Sequence, residues 1–261
     1  MLRKLTEVDR KLTLNFLNEN PALNLFIIGD IYQYGFNSNV QTFWATFNEQ
    51  NAISGVLLRY KENYIPYFTD ENYDVTPFVE ILKTEHATML SGELSRVERI
   101  LAYFDNYEKR SMYFCELKKV APLVANTERV QLATPDDAKG ILDLLALITE
   151  FTGIRQTPSE LANDIKSNDT RAYLIKNDDD VVISSAQTTA ETPTAAMVVA
   201  VATHPDYRKQ GLTSQILTKM CEDLTKQNKR PCLFYDNPKA GSLYHKIGFQ
   251  TIGEWVMVTL K

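Results

Sequence analysis

Two stretches near the C-terminus gather the residue types that can do chemistry. The first is Arg208-Lys209-Gln210-Gly211-Leu212-Thr213-Ser214. Arg208 and Lys209 bring positive charge, Thr213 and Ser214 bring hydroxyl donors, and Gly211 lets the backbone approach a ligand closely. Beyond it, Leu212, Ile216, Leu217, Met220 and Leu224 recur on one face of a helix. A helix start exposes unpaired N–H groups and a partial positive charge, so this stretch suits an anion. A plain helix start with solvated charges would read the same way. Neither a G-x-G-x-x-G fingerprint after a strand nor a Walker phosphate loop is present. The second stretch lies downstream and runs from Asn237 through Ala240, Leu243, Tyr244 and His245 to Gly248-Phe249.

The elements that must position these residues are legible around them. Ala195–Thr203 (AAMVVAVAT) is a continuous apolar run, the pattern of a strand buried on both faces. His204-Pro205-Asp206-Tyr207 ends it in a turn, because proline cannot supply a ladder donor. A strand at Cys232–Tyr235, a helix at Lys239–Lys246 and a strand at Glu254–Leu260 follow the predicted helix after Gly211. Upstream, Arg129–Ala133 predicts a strand and Thr134-Pro135-Asp136-Asp137 a capped helix start. Ile141, Leu142, Leu145 and Ile148 give that helix its apolar face, and Thr157-Pro158-Ser159-Glu160 opens a second one with a capping box. Arg171–Lys176 and Val181–Thr189 flank the turn at 177–180 as a hairpin.

Taken together, the two stretches resemble the GNAT (GCN5-related N-acetyltransferase) superfamily. Its acyl-CoA loop, [RQ]-x-x-G-x-[GA], is matched by Arg208 through Thr213. Its last helix, N-x-x-A-x-x-L-Y-x-x-x-G-F, is matched at Asn237, Ala240, Leu243, Tyr244, Gly248 and Phe249. The resemblance covers Val130 to the C-terminus. It implies an α/β (α+β) fold with a mixed central sheet flanked by helices, and acetyl-CoA as co-substrate with no metal. It further implies that β-strand backbone at Val201, Ala202 and Thr203, freed where the buried strand splays after Ala200, pairs with the pantetheine arm. Arg208, Lys209, Gln210, Gly211, Leu212, Thr213 and Ser214 would hold the pyrophosphate, with Asn237 and Ala240 beside the cofactor. Tyr244 would be the catalytic acid that protonates the departing thiolate, a task suited to a phenol.

Two positions depart from the pattern. Thr213 stands where a small Gly or Ala is usual, and adds a hydroxyl toward the phosphates. Cys232 stands five residues before Asn237, where some members place a glutamate base, so the general base is unassigned. Glu191, Asp143 and Glu150 lie in segments that could approach an acceptor, but read more simply as surface carboxylates. His204 and His245 read as incidental, a turn residue and an exposed helix residue.

The N-terminal half echoes the C-terminal one. Leu2–Leu5 followed by Thr6-Glu7-Val8-Asp9 parallels Val130–Ala133 followed by Thr134–Asp137. Ala87–Leu90, a helix over Leu94–Tyr103 and a strand over Met112–Leu117 parallel the end of the chain. The boundary falls where Ala121–Glu128 breaks the strand pattern. Residues 1–122 are thus an N-terminal α/β domain, with a degenerate copy of the same fold left open, and 128–261 the acetyltransferase domain. No counterpart of Arg208–Thr213 occurs in the first half; its aromatic stretches around Tyr32, Tyr34, Phe36, Phe43, Trp44 and Phe47 read as packing.

Composition sets the outer bounds. The chain has 261 residues, 44% hydrophobic and 23% charged, enough for one large or two compact cores. A formal net charge of −5 with no basic tract argues against nucleic acid as a partner. Residues 204–261 nonetheless hold nine Lys/Arg against five Asp/Glu, an excess where the polyanion is expected, though solvated surface gives the same imbalance. Three cysteines without paired spacing form neither a disulfide framework nor a zinc site. The run Ala22–Ile28 is too short to span a membrane, and no secretory signal opens the chain. The expectation is a cytoplasmic N-acetyltransferase acting on a primary amine of a small molecule, peptide or protein, with no membrane partner and a homodimer left open. The alternative is a non-catalytic acyl-CoA-binding or regulatory module.

Overall fold

The computed structural model describes residues 1–119, 126–151, 153 and 155–261; part of the pattern break at 121–128 lies outside them. In the first half the elements run β1 (Leu2–Lys4), α1 (Arg10–Leu17), α2 (Leu25–Tyr34), β2 (Gln41–Phe47), β3 (Ile53–Tyr60), β4 (Asn63–Phe68), α3 (Thr76–Thr84), β5 (Met89–Glu93), α4 (Leu94–Leu101) and β6 (Tyr107–Leu117). The second half repeats this order: β7 (Gln131–Leu132), α5 (Ala138–Ala146), α6 (Pro158–Ser167), β8 (Ala172–Lys176), β9 (Val182–Thr189), β10 (Ala195–Thr203), α7 (Leu212–Lys226), β11 (Arg230–Tyr235), α8 (Pro238–Ile247) and β12 (Phe249–Leu260). The echo at the start of each half extends to hydrogen bonds. Asp9 accepts from Thr6 N–H at 2.9 Å and Asp137 from Thr134 N–H at 2.8 Å, the same Thr-to-Asp capping box.

The chain forms two compact units, Met1–Phe114 with Thr251–Lys261, and Cys115–Gln250. In the first unit strands lie in the order β1-β2-β3-β4-β5-β12. β1 through β4 pair antiparallel, β4 and β5 parallel, and β12 antiparallel to β5 from Trp255↔Glu93 to Thr259↔Met89. The last strand, which a division into 1–122 and 128–261 gives to the second half, thus builds the first unit. Val256, Val258 and Leu260 bury in one cluster with Leu57, Phe78 and Leu90. A strand carries two edges as well as two faces, and nothing in its hydrophobic pattern says whose edge it will complete.

The second unit orders its strands β7-β8-β9-β10-β11, antiparallel except for the parallel pair β10–β11. Its sheet is covered on both faces. Ile216, Leu217, Met220 and Leu224 of α7 pack against Ile175, Val198 and Leu233. Ile141, Leu145, Leu161 and Ile165 of α5 and α6 pack against Leu174, Val182 and Ala202. β10 contributes to both clusters, which is why its sequence is apolar without alternation.

Candidate active site

The site is built where β10 stops pairing evenly. Its register with β9 shifts between Val199 and Ala202, and Ala200 sits at φ 51°. The parallel pairing with β11 ends at Met197↔Cys232, sooner than the opening expected after Ala200. Val199, Ala200 and Val201 are then half-buried in a strand that is otherwise mostly buried. A bulge with an extra residue bends a strand and re-aims its edge, and here it leaves the backbone at Val201–Thr203 beyond the last β11 pair.

The loop that follows is held by its own groups. His204 Nδ1 accepts from Asp206 N–H at 3.3 Å, and Arg208 Nε donates to the Thr203 carbonyl at 3.4 Å. Lys209 at φ 66° and Gly211 at φ 77° are both left-handed, the second as the N-cap of α7. Alternation of this kind forms a concavity of backbone N–H groups suited to anions. The amides of Lys209 through Ser214 have no acceptor among the described residues. A Cβ placed on Gly211 would meet nothing within 4 Å, so the space before the helix start is open. Leu212 is buried in the core, leaving only its amide for a ligand.

Thr213 departs from its expected role. Its Oγ1 lies 2.7 Å from Thr203 Oγ1, which lies 2.7 Å from Ser184 Oγ, and Ser184 donates to the Ala202 carbonyl at 2.9 Å. Each hydroxyl has one proton. With Ser184 donating to the carbonyl, Thr203 donates to Ser184 and Thr213 to Thr203. The Thr213 proton is therefore committed to β10, and the hydroxyl ties the helix start to the strand rather than reaching toward a phosphate.

On α8, Asn237 is the N-cap, its Oδ1 accepting from Lys239 N–H at 3.0 Å, and Ala240 is half-buried against the core. Tyr244 is buried between Tyr235 and Phe249, with ring centroids 5.9 and 6.1 Å away. Its hydroxyl makes no hydrogen bond among the described residues. Burial, with a smaller contribution from Cys115, pushes its pKa up to about 12. His245 is exposed, as expected, and its ring is hydrogen-bonded at both nitrogens. Its Nδ1 lies 3.0 Å from the Phe249 carbonyl, so Nδ1–H donates there and Nε2 accepts from the Tyr235 hydroxyl at 3.1 Å. A Cβ on Gly241 would fall 2.4 Å from the Tyr235 ring. A glycine inside a helix is the sequence signal that should have pointed to this close approach.

Two of the three candidate carboxylates, Glu191 and Asp143, are held in ion pairs. Burial raises the Glu191 carboxyl, but hydrogen bonds from Arg171, Lys229 and Thr188 outweigh it and leave the pKa below its ordinary value. Asp143 pairs with Lys139 at 2.6 Å on the exposed side of α5, and Glu150 is exposed. Cys232 is buried and its thiol pushed well up, chiefly by desolvation. No group of side chains able to hold a metal occurs among the described residues. No helix there is long and apolar enough to cross a membrane.

Residues 168–258 match the family model described as GNAT acetyltransferase. The second half of the chain carries a GNAT acetyltransferase domain. No curated protein matches the sequence significantly. Among solved structures, a Drosophila protein aligns with a TM-score of 0.71 at 12% identity, over 100% of this chain and 98% of its own. A GNAT-family acetyltransferase from Colwellia psychrerythraea aligns with a TM-score of 0.60 at 12% identity, over 100% of both chains. A tandem GNAT protein from the clavulanic acid biosynthesis pathway gives 0.60 at 12%, over 99% of this chain and 97% of its own. At such identity the likeness is one of fold. It extends over both halves, in keeping with the repeated element order, and the GNAT domain described above is the second of the two.

Proposed function

We propose that the GNAT domain binds acetyl-CoA with its pyrophosphate on the amides of Lys209–Ser214 and transfers the acetyl group to a primary amine of a small molecule or peptide. The observation that carries this reading is the loop itself. Two left-handed residues, unpartnered amides and open space before Gly211 stand at the start of a helix. Acetyl-CoA brings an acyl group already activated as a thioester. The chain must hold it and manage protons. Backbone at Val201–Thr203 offers an edge to which an amide-bearing arm can add. Tyr244 keeps its proton at neutral pH, so it can serve only as a donor. So weak an acid suits a sulfur anion whose own basicity rises in the same apolar surroundings. With Glu191 and Asp143 each held in ion pairs, the amine arrives neutral or loses its proton to water.

The buried thiol of Cys232 and the tied carboxylate of Glu191 favour a second reading, an acyl-CoA-binding module without turnover. Free thiol release from acetyl-CoA, measured with a panel of amines, separates the two. The enzyme reading requires amine-dependent release that falls in Tyr244→Phe. Tight CoA binding with no release for any amine, unchanged in that variant, would leave the module.

A further inference from the structure

The first unit contains an acid that no other group in it explains. Asp30, on α2, has neither a hydrogen bond nor an ion pair through its carboxyl group among the described residues; only its backbone carbonyl is used, by Gln41 Nε2 at 2.9 Å. Burial alone acts on it, and pushes its pKa up to about 7. Arg10, which reaches this helix, does not serve it: it pairs with Glu7 and donates to the Ile31 carbonyl.

The surroundings are specific. Phe26 and Tyr34 lie one turn to either side of Asp30, at i−4 and i+4, which places the three on one stripe of the helix. All three are half-buried, so the stripe reaches solvent, whereas Ile27, Ile28 and Ile31 beside it are core. Each aromatic is backed by a second ring. Phe26 lies 5.6 Å from Trp255, and Tyr34 stacks on Tyr60 at 5.5 Å with their hydroxyls 3.3 Å apart. The Tyr60 ring already draws an ammonium, since Lys61 Nζ lies 5.3 Å from its centroid. A carboxyl group on one helix stripe with an aromatic residue a turn to either side attracts one ligand class above others: ring quadrupoles and the anion both favour a cation, and the apolar rings favour one with carbon attached.

We propose that Asp30, with Phe26 and Tyr34 on either side of it, forms a binding site for a small organic ammonium ion in the first unit. The site is distinct from the GNAT loop and does not depend on acetyl transfer. An aliphatic ammonium places its charge at Asp30 and its carbon chain along Phe26 or Tyr34.

The test uses the full chain without acetyl-CoA, titrated calorimetrically with n-butylammonium and tetramethylammonium chloride, and with butanol and sodium butyrate as neutral and anionic counterparts. Saturable binding of the ammonium ions, at least about tenfold tighter than butanol or butyrate, is expected. Asp30→Asn should weaken it by about tenfold or more, and Tyr34→Leu should weaken tetramethylammonium most. Asp30→Asn keeps the side-chain shape and removes only the charge, so circular dichroism should show the fold unchanged. No saturable binding by the wild-type chain, or equal affinity in a folded Asp30→Asn chain, would overturn the proposal. Failure of acetyl transfer with these results intact would not touch it.

Discussion

Between β4 and α3 the chain reads Thr69-Asp70-Glu71-Asn72-Tyr73-Asp74-Val75; between β10 and α7 it reads His204-Pro205-Asp206-Tyr207-Arg208-Lys209-Gln210-Gly211. The two connections hold the same place in a repeated order of elements, and they are built in opposite ways. In the first unit the helix start is closed from within, since Asp74, one residue before the N-cap Val75, accepts from Thr76 N–H at 2.9 Å and is held at a lowered pKa by that residue. Asp70 and Glu71 add negative charge, and Tyr73 folds inward, with its hydroxyl 2.7 Å from Thr46 and its ring against Gly55. Arg99 of α4 ties down the carbonyls of Asp70 and Tyr73. β4 pairs with β3 without a register shift, and α4 carries no tyrosine. In the second unit the strand is bulged, the loop is basic and left-handed, and the helix start is open. One architecture thus supports a connection closed by its own side chains in one half and a basic loop with free backbone amides in the other. The difference lies in a handful of side chains, not in the fold.

Four changes would break or sharpen this contrast. The largest effect is expected at Gly211→Glu, which puts a carboxylate into the open space and a side chain at a left-handed position. CoA affinity measured by calorimetry should fall by at least about 100-fold with the fold intact. Unchanged affinity would remove the anion site from this loop. Next, Tyr244→Phe should lower kcat by about 100-fold with little change in the KM for acetyl-CoA, as for loss of a proton donor. An unaltered kcat would leave the phenol as packing.

The two smaller effects concern the first unit. Asp30 is more protonated in the fold than in the unfolded chain, because its pKa rises from 3.8 to about 7. Stability therefore declines as pH rises from about 4 to about 7, and Asp30→Asn should remove that decline. Allowing for partial contact with solvent, the variant should gain about 1–3 kcal/mol at pH 8 relative to pH 4, read from denaturant melts. A parallel pH dependence in both proteins would refute the assignment. Last, Asp74→Ala should cost about 1 kcal/mol of stability, the usual loss of one hydrogen bond to a backbone amide, and leave CoA affinity unchanged. A gain of CoA binding would mean that the first connection is closed by that carboxylate alone.

The sequence by itself determined the local parts. A loop of two cations and a glycine before an amphipathic helix, the capped helix starts at Thr6, Thr134 and Thr157, and the two-faced apolar run of β10 are all set by neighbours a few residues apart. Such patterns follow from backbone sterics and periodicity, which a chain carries in its own order. Gly211 at a helix start was legible for this reason, whereas Asn237 and Tyr244 were singled out only by the resemblance to a known family. What only the tertiary structure decided was which groups share protons and edges. The Ser184–Thr203–Thr213 chain spans β9, β10 and α7, and it ties the Thr213 hydroxyl to the strand. His245 gained a role only because Tyr235 and Phe249 come within reach of its two nitrogens. Asp30 became notable through missing partners, and β12 went to the first unit because β5 had an edge to pair. A hydrogen bond is short-ranged and needs two groups from distant places in the chain at once, and no residue spacing records that meeting.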